Sequence, residues 1–145
     1  VTATAAPDPD RQVRERNLAA VEGAFAGVAA GDAARQLSHY TDDMVLELPY
    51  ADPPKRIEGK DTALAYLSGA LRAFALELSV TEVHEGRDPD ELVVEFTGTG
   101  TYKPTGARYD NRYIAVFGFR DGLICRQREF YDPLAAQRAT ASPAD

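Results

Sequence analysis

Between Glu91 and Pro133, polar and apolar residues alternate through three runs. Two turn sequences, Lys103-Pro104-Thr105-Gly106 and Arg120-Asp121-Gly122, interrupt them. A period of two is the pattern of strands with one buried face, so this stretch predicts three long strands forming two hairpins that share the middle strand. Upstream the period lengthens. Leu18, Val21, Phe25 and Val28 are spaced three and four apart, predicting a helix from an Asp10 N-cap to Gly31. Asp32 caps a short second helix reaching about His39. Met44 to Leu48 is a short strand with Leu46 and Leu48 on one side, and Pro49 ends it. The three prolines between Pro49 and Gly59 predict an irregular rim. A third helix is expected from about Asp61 to Phe74, with Leu64, Leu67, Leu71 and Phe74 on one face, followed by a strand over Leu76 to Glu85. Residues 1-9 are expected to be a flexible arm, 10-134 a single domain, and 135-145 a mobile tail starting with at most one helical turn. The order predicts an α+β fold, with three N-terminal-half helices packed on the concave face of a curved, mainly antiparallel sheet.

The second turn decides which side chains meet. A two-residue Asp121-Gly122 turn would pair Arg120 with Leu123; a type I turn with a glycine bulge pairs Phe119 with Leu123, and the bulge is the expected form. It sets Glu129, Gln127 and Cys125 opposite Tyr113, Ala115 and Phe117, and leaves Arg126 and Arg128 on the other face with Ile114 and Val116. With Lys103 paired to Arg108, Gly98 and Gly100 fall opposite Tyr113 and Asn111. One face then combines aromatics, two glycines that leave room and a single carboxylate, the composition of a ligand-pocket floor.

The candidate catalytic residues are Glu129 and Tyr113, with the Tyr113 hydroxyl expected to partner the carboxylate. Burial near Phe96, Leu46, Leu48 and Phe117 would raise the Glu129 pKa toward the range useful for proton transfer. Candidate substrate-binding residues are Asn111, Gln127, Phe96, Gly98, Gly100, Ala115, Phe117, Leu46, Leu48 and Tyr50. Plainer roles stand beside these. Glu129 could pair with Arg108 or Arg112, Tyr113 could be a core aromatic over Gly98, Asn111 and Gln127 could be edge residues, and Tyr50 could pack at the rim.

The 145 residues carry 16 basic and 23 acidic side chains, a net charge of -7. That balance argues against nucleic acid and against an anionic membrane surface, leaving a small apolar or neutral organic molecule as the expected partner. One cysteine, Cys125, excludes an internal disulfide and offers no zinc spacing. His39 and His84 fit a helix end and a strand end, so no metal cluster and no cofactor are expected. No apolar run reaches the roughly 20 residues that span a bilayer, and the first residues lack the pattern of a signal peptide; a cytoplasmic protein is expected. The opposite sheet face, with Ile114, Val116, Ile124 and Phe130 among Arg126 and Arg128, predicts a homodimer.

The segments GDAARQLSHYTDDMVLELP and GLICRQREFYDP, with VEFTGTGTY and the Asn111 of YDNRYI, resemble the nuclear transport factor 2-like superfamily over about Arg11 to Leu134. This is the cone-shaped α+β fold shared by ketosteroid isomerases, SnoaL-type polyketide cyclases and limonene epoxide hydrolases. The closing segment is similar to that of the phenazine-biosynthesis A and B proteins, whose REF glutamate is an acid-base group; the resemblance implies that role for Glu129. The histidine of their middle strand falls near Ala115 here. At the ketosteroid isomerase positions for base, tyrosine and acidic donor stand Leu48, Ala24 and Ala115. Of the limonene epoxide hydrolase Arg, Asp and Asp, the first two positions hold Phe96 and Gly98, and Glu129 alone stays acidic. The resemblance therefore implies a cofactor-independent cyclase or isomerase acting on an apolar polyketide-like intermediate of secondary metabolism. The alternatives are a phenazine-type condensing enzyme and a non-catalytic, small-molecule-binding dimeric accessory protein.

Overall fold

The structure is a computed structural model and describes residues 8–141. Helix α1 spans Pro9–Ala29, and its cap lies two residues before the expected one. Asp8 is the N-cap, its side chain accepting from the Asp10 amide at 3.0 Å, and Pro9 takes the first helical position, where a missing N–H costs nothing. Helix α2, Ala33–Leu37, is capped by Asp32 as expected. Strands β1 (Tyr40–Leu48) and β2 (Lys55–Glu58) follow, then α3 (Lys60–Ala73), β3 (Phe74–Glu85), β4 (Glu91–Tyr102), β5 (Ala107–Arg120), β6 (Leu123–Tyr131) and α4 (Pro133–Thr140). The remainder of the expected arm and the last four residues lie outside the described residues.

The six strands form one sheet in the order β2-β1-β6-β5-β4-β3. Only β1 and β6 run parallel; the other pairs are antiparallel. The fold is α+β with a cone-like cavity between sheet and helices, as the order of elements predicts. Leu92, Val94, Phe96, Tyr113, Ala115 and Phe117 alternate inward along β4 and β5 and bury against Val21, Ala24 and Phe25 of α1. Among the described residues, no helix is long and apolar enough to cross a membrane.

Several expectations change. The rim after Pro49 contains β2, which pairs with β1 and sets Ile57 beside Leu46; four residues with a single buried side chain leave no period to read. On α3 it is Ala63 and Leu71 that are buried, while Leu64 is 38% exposed. Phe74 opens β3. The segment from Pro133 forms a full helix, capped by Asp132 and anchored through Ala139, which is 4% exposed.

Both hairpins sit two residues from the expected register. Across the first turn Tyr102 pairs with Ala107, so Gly98 lies opposite Asn111, Gly100 opposite Tyr109 and Phe96 opposite Tyr113. The second turn is the tight two-residue form, with Asp121 and Gly122 both at positive φ and Arg120 paired to Leu123. The irregularity comes one pair later: Phe119 pairs with Ile124 but Gly118 with Arg126, leaving Cys125 as the extra residue. Ile124 therefore turns inward and is fully buried, not part of the outer face. Beyond Cys125 the shift of two keeps parity, so Gln127 and Glu129 still face inward, now opposite Phe117 and Ala115.

At Gly100 the β3 backbone comes close to β4. A Cβ there would stand 1.7 Å from the Ala75 carbonyl oxygen and 3.1 Å from Leu76 Cα, and backbone cannot yield as a side chain can. Gly100→Ala is expected to destabilise the domain by roughly 3 kcal/mol or more. Gly86→Ala, whose Cβ would meet nothing within 4 Å, is expected to change stability by less than about 1 kcal/mol. Urea denaturation of both variants checks the contrast.

Candidate active site

A cavity of about 240 Å³ opens between the inward sheet face and helices α1 to α4. Its wall is largely apolar, with Phe25, Met44, Leu46, Leu48, Leu78 and Phe96 prominent, and its polar groups are few: Gln36, Gln127, Glu129 and several tyrosines. That volume lies below the roughly 300 to 1,000 Å³ of sites for drug-sized ligands, which sizes the occupant as small.

The aromatic floor is built across β3, β4 and β5. Phe96 and Tyr113, cross-strand partners, stack with centroids 4.7 Å apart and planes 6° from parallel, and Phe25 of α1 covers Phe96 at 4.7 Å. Gly98 serves this stack. A Cβ there would meet Tyr113 Cε2 at 2.9 Å and Leu78 Cδ2 at 3.1 Å, so the glycine makes room for those side chains, and it is not among the residues lining the cavity.

Glu129 sits on β6 where β1, β5 and β6 converge. Its carboxyl borders the cavity and keeps some accessible surface there, while the protein packed around it removes most of its water. Desolvation pushes its pKa up to about 7, and one hydrogen bond, from Gln127 Nε2 to Glu129 Oε1 at 3.0 Å, opposes the rise. Gln127 is fixed in turn by the Tyr40 hydroxyl, which donates to its Oε1. The carboxylate also acts on Tyr40, Tyr66, Tyr109, Tyr113 and Tyr131, raising each phenol's pKa further above what burial does.

Tyr113 does not bond Glu129 as expected, because the register sets Glu129 opposite Ala115 and Tyr113 opposite Tyr131. Its hydroxyl lies 2.9 Å from that of Tyr109. Asn111 Nδ2 donates to the Tyr109 oxygen at 2.9 Å and to the Asp132 carbonyl at 2.9 Å, while Asn111 Oδ1 accepts from the amides of Arg112 and Asp132 at 2.8 and 3.1 Å. All four sites of the Asn111 amide are thus used within the protein. Asn111 holds the start of α4 and one end of a tyrosine pair, and does not line the cavity.

Of the residues singled out in the sequence, Glu129, Tyr113, Gln127, Phe96, Leu46 and Leu48 come together around the cavity. Ala115 and Phe117 lie beneath it in the core, and Gly98 and Gly100 shape the sheet. Tyr50 is 56% exposed and packs edge-on against Phe130 at 5.2 Å, outside the cavity. Sequence reasoning missed Gln36, Tyr40, Tyr66, Leu78, Tyr109 and Tyr131. A signal existed for two of them: Tyr109 and Tyr131 share the inward parity of Tyr113 and Glu129. Glu82, His84 and Glu95, not expected as a cluster, bring ligand atoms within 4.8 Å of one another at the surface of β3 and β4. They pair among themselves, with His84 Nε2 2.6 Å from Glu95 Oε2, and that contact raises the His84 pKa.

Residues 21–127 match the SnoaL-like domain family. The chain belongs to that family. An uncharacterised PhzA/B-like protein of Pseudomonas aeruginosa is 33% identical over 106 residues, 72% of this chain and 75% of that one. The phenazine biosynthesis protein PhzB of Pseudomonas fluorescens is 29% identical over 140 residues, 92% of this chain and 86% of that one. The crystal structure of a candidate isomerase from Bacillus subtilis superposes on this SnoaL-like chain with a TM-score of 0.82 at 28% identity, covering 88% and 94% of the two chains.

The raised pKa of Glu129 has a stability consequence of definite sign. An exposed glutamate ionises near 4.5 and the folded Glu129 near 7, so the folded state holds the extra proton between these values. Stability contributed by the neutral buried acid is complete below about pH 4.5 and is lost as pH rises through 7, by up to roughly 3 kcal/mol, with cavity hydration lowering that figure. Glu129→Gln is expected to be more stable than wild type at pH 8 and equal to it near pH 4.5, as read by denaturation midpoints at the two pH values.

Proposed function

We propose that the cavity binds a small, mainly apolar, polyketide-like molecule and that Glu129 moves a proton to promote its cyclisation or isomerisation without a cofactor. One observation carries this reading: the carboxyl at the cavity wall is tuned by desolvation to about 7, so near neutrality it can both take and return a proton. In the ionised form Glu129 removes a proton from a carbon acidified by a neighbouring carbonyl. The Tyr113 hydroxyl, kept neutral by burial, donates to that carbonyl oxygen as the enolate forms. The Asn111 amide donates to the Tyr109 oxygen, and when Tyr109 turns its own proton to Tyr113 the Tyr113 proton is left for the substrate. Return of the proton at another carbon gives isomerisation; attack of the enolate carbon on a second carbonyl closes a ring. The apolar wall contributes by holding a flexible chain in a reactive shape.

The match to PhzB over most of both chains favours a second reading, a phenazine-type condensation in which Glu129 keeps its acid-base part. A carrier that binds without reacting is the outcome to be separated from both. Glu129→Gln keeps the shape and removes the basicity, so turnover is expected to fall by roughly 10²- to 10⁴-fold with little change in binding. Wild-type turnover is expected to rise with pH through about 7, and the variant to lose that inflection. Product analysis after incubation with linear poly-β-ketone substrates is the measurement. Saturable binding with no product identifies a carrier, and near wild-type turnover in the variant removes Glu129 from the chemistry.

We also infer a homodimer formed through the outer sheet face. Ile114, 45% exposed in a central strand, stands there with the partly buried Val116 and Phe130 and with Arg126 and Arg128, a mixture suited to a two-fold contact. Sedimentation equilibrium at micromolar concentration is expected to give twice the chain mass, and Ile114→Glu to give the chain mass alone.

A further inference from the structure

The cavity holds a second polar feature that the proton-transfer scheme does not use. Gln36 of α2 is 8% exposed and lines the cavity, and no donor among the described residues reaches its Oε1. A buried amide oxygen without a partner is rare enough to need an explanation. The backbone beneath it is held tightly: a Cβ at Gly27 of α1 would lie 2.4 Å from the Gln36 amide nitrogen, so that glycine lets α2 seat against α1 and fixes where the Gln36 side chain leaves the helix.

Neighbouring hydrogen bonds orient the amide. The Gln36 amide acts on the Tyr40 hydroxyl, lowering its pKa against the rise that burial causes, and the Tyr40 proton is committed to Gln127 Oε1. Tyr40 can therefore only accept from Gln36, which directs Gln36 Nε2 to Tyr40 and leaves Oε1 over. The series runs in one direction, Tyr40 to Gln127 to Glu129, with the Gln36 amide set beside its Tyr40 end. It ends on the proposed catalytic carboxyl at one side and beside a free acceptor at the other.

We propose that Gln36 is a specificity-determining residue whose Oε1 accepts a hydrogen bond from a hydroxyl or N–H of the bound molecule. The substrate class narrows accordingly, to compact neutral molecules that carry a phenolic, enolic or amide donor set apart from the carbon that reacts at Glu129. Their O-alkylated or deoxygenated counterparts leave Gln36 unpaired and bind less well. This rests on the reading of the cavity as the substrate site, and the test separates the two.

The probes are 2-naphthol and 2-methoxynaphthalene, alike in shape and differing in the donor, titrated into the full chain and into Gln36→Leu by calorimetry. Wild type is expected to prefer the naphthol by about tenfold, the worth of one well-placed hydrogen bond, and Gln36→Leu to bind both equally. In wild-type protein the Gln36 side-chain amide resonances are expected to shift with the naphthol and not with the ether, a readout that needs no variant. Equal binding of the two by wild type, a preference that survives Gln36→Leu, or unmoved Gln36 resonances overturns the donor subsite and leaves the cavity reading intact. Failure of both probes to bind wild type overturns the cavity reading and the subsite with it.

Discussion

The pairing of β5 with β6 is the constraint on which the site depends. A two-residue turn at Asp121-Gly122 and one extra residue at Cys125 together decide which β6 side chains face inward. Before the extra residue, Ile124 enters the core opposite Phe119; after it, Gln127 and Glu129 enter opposite Phe117 and Ala115. Strand alternation alone would give Ile124 and Glu129 opposite faces, since they are an odd number of residues apart. The bulge lets one strand supply both a hydrophobic plug near the turn and a carboxyl beside the cavity.

The same pairing brings β6 against β1, where Leu46 lies beside Gln127. Tyr40, at the start of β1, can then reach Gln127, and Gln127 can reach Glu129. A single hydrogen bond does not offset the loss of water around the carboxylate, so the neutral acid persists to about pH 7. The second polar set, Asn111 with Tyr109 and Tyr113, belongs to β5 and also holds Asp132 at the head of α4. Folding of the last helix and orientation of a cavity hydroxyl are thus tied to one asparagine.

Relatives in this family share the scaffold while the chemistry sits in a few inward positions. Here, among the described residues, Glu129 is the one carboxylate of the cavity wall, and packed apolar and aromatic side chains shape most of the rest. The crowding around Gly98 and Gly100 points the same way. These glycines permit a dense floor of aromatic rings, and the open volume lies above it, between the floor and the helices.

The sequence by itself determined the order of the first three helices, the short first strand and the four long strands, the α+β class and the inward facing of Glu129, Gln127, Tyr113 and Phe96. Each follows from local periodicity and turn chemistry, and parity survives a shift of two residues. It also marked Gly98 and Gly100 of β4 as positions that leave room, and the expected use of that room was a ligand pocket. What approaches was decided by the tertiary structure: Tyr113 and Leu78 at Gly98, the Ala75 backbone at Gly100. Register to the residue, the inward turn of Ile124 and the short β2 depend on strand pairing between distant segments, which no local pattern encodes. The same is true of Gln36, Tyr40 and Tyr66, which reach the cavity from α2, β1 and α3. A polar residue on a helix is read as solvent-facing until another element covers it, and the covering of Gln36 exists only once α1, α2 and the sheet have closed around one space.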